Sequence, residues 1–308
     1  MTFVLRRLLA SIPVVIGITI VAFLLIHMVP GDPAQAMLFG SNASPDQVQE
    51  LRVQLGLTEP LWHQYATFLG QLLHGDLGTS YLTHSSVAHE LLSRAPSTLQ
   101  LTGAAMLVAV VIGVPLGLVA GIRPGSVLDR LARAISFVGV AVPYFFLALL
   151  LVLVFAINLN WVPAIDDGSL TSLVVPAISL GWGYAAILTR LIRGRVIDEY
   201  RSDYVKSAKA RGCSELRVLL AHVFRNSSIP AITMIGLQFG NILTGAAITE
   251  VIFGRPGIGS FLATSITTKN IPVVQGAVVL IGISYIVINL IVDLIVGAVD
   301  PRTRLVSA

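Results

Sequence analysis

The side chains able to do chemistry in this sequence are few, and the densest set is Asp198–Pro230, DEYRSDYVKSAKARGCSELRVLLAHVFRNSSIP, a basic, polar stretch between two apolar runs. Nucleotide chemistry would need a Gly-Lys pair in a phosphate-cradling loop. The lysines are Lys206, Lys209 and Lys269, and none follows a glycine, so the sequence has no such loop of its own. It also lacks the HExxH zinc pattern and the GxSxG nucleophile turn. His63, His74, His84 and His89 could suggest a transition metal, but their spacings match no ligand pattern, and they read as solvated or capping residues. Gly254-Arg255-Pro256-Gly257-Ile258-Gly259 reads as a tight turn rather than a phosphate loop. Cys213 has no second cysteine to pair with. These residues do not make an enzyme.

The elements that must position the basic stretch are membrane spans. Hydrophobic residues make up 55% of the chain and charged residues only 12%, about half the quarter typical of soluble domains. Mean hydropathy is +0.84. The runs are continuous rather than alternating, which predicts an all-α polytopic membrane protein and not a β-barrel. Six spans are expected, over about Leu8–Met28, Thr98–Ile122, Ile135–Ile157 with Pro143 inside it, Val174–Leu191, Ala231–Thr249 and Val273–Val296. The first could be a signal peptide, with Ala34-Gln35-Ala36 as a cleavage-like site. Its apolar run of about 20 residues exceeds the 7–15 of a signal core, so a retained span is favoured. Gly113, Gly117 and Gly121 recur every four residues and predict a smooth face for close helix approach.

Between the first two spans lies a mixed segment. Ser44-Pro45-Asp46-Gln47 predicts a capped helix ending near Gly56. A second helix is expected from about Pro60 to Leu73, with Leu61, Tyr65, Phe68, Leu69 and Leu72 on one face, and a short third around Val87–Ser93. The division that results is 1–29 for the N-terminus and first span, 30–96 for a small helical cap, and 97–308 for a five-helix core holding the polar loop 198–230. Within that loop Ser202 or Asp203 caps a short helix that Gly212 ends, and Ser214 caps a second helix running to Asn226. Lys206, Lys209 and Arg211 sit where the helix dipole favours cations.

Basic residues orient the spans. Arg52, Arg94, Arg255 and Lys269 fall on one side, and all the others of the 20 lysines and arginines fall on the other, with the termini and the polar loop. The loop and both termini are therefore expected in the cytoplasm and the cap outside. This distribution accounts for the net charge of +4 without nucleic acid. Glu250 and Asp293 both come out near the surfaces rather than the midplane, which disfavours an ion-coupled carrier with a central acidic relay. Gln238, Asn241 and Gly245 share a helical face with Thr244 beside it. Such groups either line a hydrophilic passage or bond to neighbouring helices.

The segment Tyr204-Val205-Lys206-Ser207-Ala208-Lys209-Ala210-Arg211-Gly212, followed by Arg225-Asn226 and Pro230, resembles the coupling loop of ABC-importer permeases of the peptide/nickel branch. The general pattern is Glu-Ala-Ala, three residues, then Gly. Here Lys206-Ser207-Ala208 precedes Gly212 at that spacing, a replacement common in the peptide branch. Pro30-Gly31-Asp32-Pro33, Gly75-Asp76-Leu77-Gly78-Thr79-Ser80, Pro176 through Arg190, Phe253 through Gly259 and Asp300-Pro301-Arg302 resemble the same branch. The resemblance implies the type I importer permease fold and half of a translocation pathway, for short peptides or alternatively for nickel chelates or glutathione. It implies a heterodimer with a second homologous permease, two cytoplasmic ATPase subunits or domains that bind ATP and Mg in place of this chain, and an extracytoplasmic peptide-binding protein. Tyr204, Lys206, Ala208, Lys209, Arg211, Gly212 and Arg217 would couple to the ATPases, with Ala208 and Gly212 offering a small close-packing surface.

Overall fold

The computed structural model describes residues 2–28, 34–35, 38 and 44–299. The motifs at Pro30–Pro33 and Asp300–Arg302, with Arg304 and Ala36, lie outside them. The described residues form helices α1 (Thr2–Met28), α2 (Pro45–Gln54), α3 (Leu61–Leu73), α4 (Val87–Ile122), α5 (Val127–Ala141), α6 (Tyr144–Leu151, continued by π-helical turns over Val152–Asn158), α7 (Thr171–Tyr200), α8 (Asp203–Ala210), α9 (Glu215–Val218, continued by π-helical turns over Leu219–Phe224), α10 (Arg225–Ile252), α11 (Ile258–Thr267) and α12 (Ile271–Val299). Five of them, α1, α4, α7, α10 and α12, are long and apolar enough to cross a membrane, and the bent pair α5–α6 passes the same test only when its two pieces are taken together.

The centre is a three-helix contact. Leu101, Ala105, Met106 and Ala109 of α4 pack with Leu180, Ala185 and Leu188 of α7 and with Ile242 and Ala246 of α10. Hydrocarbon offers no hydrophobic drive between helices, so van der Waals fit at small residues must hold them. The glycine stripe supplies it. A Cβ built on Gly117 would stand 2.9 Å from the Thr189 carbonyl oxygen and 2.8 Å from Ile192 Cβ. Gly113 lies equally close to Ala185 and Leu188, and Gly121 to Val196. Thr189 Oγ1 donates across the seam to the Gly113 carbonyl at 3.3 Å.

α1 and α12 form a flank on this core. Gln275 donates to the Ala22 carbonyl at 3.0 Å, Arg7 pairs with Asp293 at 2.9 Å, and Ile18 packs over Gly282. α3 lies on α1 through Tyr65, whose hydroxyl is 2.9 Å from Thr19 Oγ1 and whose ring meets Phe23 edge-on. The capping box at Ser44–Gln47 forms as the sequence predicts.

Some elements differ from expectation. The short helix at Val87–Ser93 does not stand alone; it opens the 36-residue α4, which passes through Pro96. Val87 and Leu91 continue the buried face of that helix onto Ile258, Val273 and Ala277, so packing carries it past the proline. At about 54 Å, α4 outreaches the ~30 Å hydrocarbon layer and projects from it. The third span bends by 101° between Ala141 and Tyr144, because Val142, placed before Pro143, is extended at φ −87, ψ 121. The helix from Ser214 does not hand over at Pro230, because α9, its π-helical turns and α10 run on through that proline. Part of the polar stretch before the last span belongs to a short apolar helix, α11.

α11 is seated by a buried carboxylate. Glu250 is fully buried; its Oε1 accepts from Thr98 Oγ1 at 2.6 Å and its Oε2 from the Gly259 and Ser260 amides at 2.8 and 3.0 Å. Thr98 Oγ1 in turn accepts from the Ile258 amide at 2.9 Å. The first amides of α11, left without intrahelical partners, thus find theirs in a carboxylate that suits the positive end of a helix. Gly257 makes room, since a Cβ there would fall 2.1 Å from Glu250 Cδ.

Two stability predictions follow from these contacts. Gly117→Leu overpacks the α4–α7 seam and should cost about 1–3 kcal/mol, seen as a lower midpoint for thermal unfolding in detergent. Glu250→Ala strands buried amides and should cost about 3 kcal/mol, read in the same assay, with protease cutting within Ile258–Thr267 reporting release of α11.

Candidate functional site

The polar stretch folds as a bracket across one end of the bundle. Ser202 precedes α8, Gly212 closes it with φ +81, and the Ser214 side chain accepts from the Arg217 amide to start α9. Val205 and Ala208, 1% and 2% exposed, pack with Ile192 and Val196 of α7, Val218 and Val223 of the following turns, and Ala231 of α10. α8 is therefore seated on both spans that flank it.

A polar tie reinforces the seat. The Tyr204 hydroxyl donates to Glu199 at the end of α7 and accepts from Asn226 Nδ2 at 3.0 Å at the start of α10. Its ring meets His222 edge-on at 6.4 Å. Burial first, then the Glu199 carboxylate, raises the Tyr204 pKa, against a lowering contribution from Asn226. Lys206 pairs with Asp203 at 2.8 Å, and this lysine lowers the Asp203 pKa. Lys209 lies 5.1 Å above the Tyr200 ring and 4.0 Å from Glu215.

The outer face of the bracket is made by Tyr204, Lys206, Lys209, Arg211, Gly212 and Arg217, all exposed. Ala208 differs from expectation. Its methyl is spent inside the chain, because the position four residues before Gly212 falls on the face turned to α7 and α10. It holds the helix and offers no outward surface.

Sequence reasoning missed a second clamp at this end. Asp129, 1% exposed at its side chain, takes a two-pronged contact from Arg193 of α7, with Nε at 2.5 Å and Nη2 at 3.0 Å. It also accepts from the Gly125 amide at 2.8 Å. The bond ties the α4–α5 turn to α7. The only signal was local: Ser126 with Asp129 three residues on, a helix-start pattern, and the Ser126 side chain does accept from the Asp129 amide.

The polar residues of α10 separate. Gln238 is 2% exposed, on the face it shares with Ile242 and Ala246, and neither side-chain polar atom has a hydrogen-bond partner among the described residues. Asn241 and Thr244 are exposed, on a stripe with Leu237, Ile248 and Val251. The structure does not bring these three together on one surface.

At the opposite end, Arg255 and Asp166 form a buried pair at 3.0 Å, 5% and 8% exposed at their side chains. Ser172 Oγ donates to Asp166 Oδ1 at 2.6 Å. No three or more His, Cys, Asp or Glu residues cluster in a way that could hold a metal among the described residues.

Comparison with known proteins gives the family and the fold. Residues 113–305 match the family described as binding-protein-dependent transport system inner membrane component, and residues 1–102 match the N-terminal model of the same system. The chain is 37% identical to the glutathione transport system permease protein of Escherichia coli over 99% of both chains. It is 38% identical to the dipeptide transport system permease protein of Alkalihalophilus pseudofirmus, again over 99% of both. An inward-facing structure of the MetNI methionine ABC transporter superposes with TM-score 0.59 at 18% identity, covering 68% of this chain and 96% of that one. The fold is thus that of an ABC importer permease. The chain belongs to the inner membrane components of binding-protein-dependent transport systems: it is a multi-pass ABC importer permease of the peptide/nickel branch, a transporter subunit and not an enzyme.

Proposed function

We propose that this permease forms half of the import pathway for short peptides and takes its power through Tyr204–Ser214. The observation that carries the reading is the bracket itself: a short helix whose apolar side is locked to α7 and α10 while its cations face outward. Such a helix transmits whatever displaces it. ATP and Mg would be handled by two separate ATPase subunits seated on Tyr204, Lys206, Lys209, Arg211, Gly212 and Arg217, with acidic groups opposite the cations. Ala208 acts from beneath by fixing the helix to its spans.

The basic bias supports a cytoplasmic position for this end and both termini and an outer one for residues 30–96, where a peptide-binding protein would dock. The exposed Asn241–Thr244 stripe is the proposed wall of the pathway, facing a second homologous permease across the complex. Gln238, buried in the core, is not part of that wall. The cargo reading rests on the relatives: one is named for dipeptide transport and the other for glutathione transport, and glutathione is itself a tripeptide. Nickel chelates are the remaining reading.

Three measurements test the proposal. The binding protein of the system should bind di- or tripeptides in preference to nickel chelates when titrated with each; the reverse preference reassigns the cargo. Gly212→Arg puts a side chain at a positive φ, where non-glycine residues lose about 1–2 kcal/mol, on the face that docks. ATP-driven uptake into proteoliposomes should fall at least about tenfold, and uptake at the normal rate would sink the coupling assignment. Tyr204→Phe removes both hydroxyl bonds at a partly exposed site, a loss of about 0.6 kcal/mol and so about threefold. It should appear as less peptide moved per ATP hydrolysed, with the complex still assembled.

A further inference from the structure

At the end opposite the bracket, α4, the Asp166–Leu170 loop and the turn after α10 enclose an open cavity of about 560 Å³, lined among others by Ser93, Arg94, Ser97, Gln100, Asp166 and Arg255. That is many times the ~30 Å³ share of one water. The lining carries two arginines and one carboxylate, with the Glu90 carboxylate behind Arg94.

Both arginines are set in place from behind. Arg255 donates through Nη1 to Asp166, itself fixed by Ser172 and by its own amide on the Phe253 carbonyl at 2.8 Å. Arg94 lies 3.9 Å over the Phe261 ring of α11 and donates to the Glu90 carbonyl at 2.9 Å, with the Glu90 carboxylate 3.7 Å away. Two of the residues that line the cavity each carry a buried polar atom with no partner among the described residues: Arg255 Nε and Ser97 Oγ. Arg255 is 5% exposed, so its unused N–H lies where water cannot easily replace a partner, and a guanidinium offers only donors. What completes such a site is an acceptor with negative charge. A carboxylate fits best, since its paired oxygens match the planar edge of arginine.

We propose that this cavity is a subsite that receives the free carboxylate of the peptide on its way into the pathway, held by Arg255 Nε and Ser97 Oγ with Arg94 supplying charge. The inference rests on the peptide reading above and adds a second point of selection, within the permease itself. Asp166 is a positioning residue here: it fixes the guanidinium plane and leaves the Nε edge for the ligand.

The test uses the full transporter in proteoliposomes with its binding protein, at peptide concentrations that saturate the binding protein by intrinsic fluorescence. The probes are trialanine and trialanine amide. The wild type should move the free acid about tenfold faster than the amide, which is worth about 1.4 kcal/mol. Arg255→Lys keeps a cation for Asp166 but has no Nε edge, and it should bring the ratio of the two rates towards one. Ser97→Ala should do so in part, and it decides the matter if the lysine variant fails to assemble. A wild type that does not discriminate, or a ratio that neither variant moves, overturns the subsite while leaving the permease reading intact. Variants that slow both peptides alike also overturn it, and assign the cavity to a side chain of the binding protein. A wild type that moves neither peptide overturns the cargo reading and the subsite together.

Discussion

Everything in this fold depends on how closely α4 and α7 approach. In hydrocarbon neither helix gains from meeting the other unless their atoms fit, and the fit is set by what the side chains leave out. Gly113, Gly117 and Gly121 leave out the most, and Ala185, Leu188, Thr189, Ile192 and Val196 fill the space. Once those two helices are joined, α10 closes the core with Ile242 and Ala246. The remaining spans are then arranged around a settled centre.

The same contact reaches the bracket. Val196 packs against Gly121 on one side and belongs to the cluster beneath Val205 and Ala208 on the other. One side chain is thus shared between the seam and α8, and Arg193, one turn earlier, holds the α4–α5 turn through Asp129. Movement of α8 has no soft layer to be lost in. It reaches α7 through packing, α10 through Tyr204 and Asn226, and the α4–α5 turn through a buried ion pair. The opposite end is made in the same way, with Glu250 and Asn270 fixing the two ends of α11: Asn270 bonds Ser80 Oγ at 2.8 Å and the Tyr81 amide at 3.0 Å.

What the sequence made legible was local or periodic. The glycine stripe, the Ser44 and Ser214 caps, the helix stop at Gly212 and the order of spans all follow from spacings of a few residues. The ties between distant positions do not. Asp129 and Arg193 are 64 residues apart, Asp166 and Arg255 are 89 apart, and Thr98 and Glu250 are 152 apart. No periodicity links them; only the folded packing brings them together. Gln238 and Asn241 show a finer limit. Three residues on a helix turn the side chain by about 60° from the starting direction, and the edge of the buried core runs through that gap. Pro143 was visible as an interruption, yet the 101° bend required the neighbouring helices to accept two short pieces in place of one rod.

α7 runs unbroken for 30 residues despite Pro176, about 45 Å at 1.5 Å per residue. Its seam with α4 leaves no room for sliding, so the two travel as one stiff body from Tyr200 to the loop that carries Asp166. Rigid bodies of this length have leverage. A tilt of about 5° applied at one end displaces the other by about 4 Å, comparable with the radius of a side chain, over the helix length set by the rise per residue. A displacement of the Tyr200 end is therefore carried to the Asp166 end at full length, without any helix in between having to unwind.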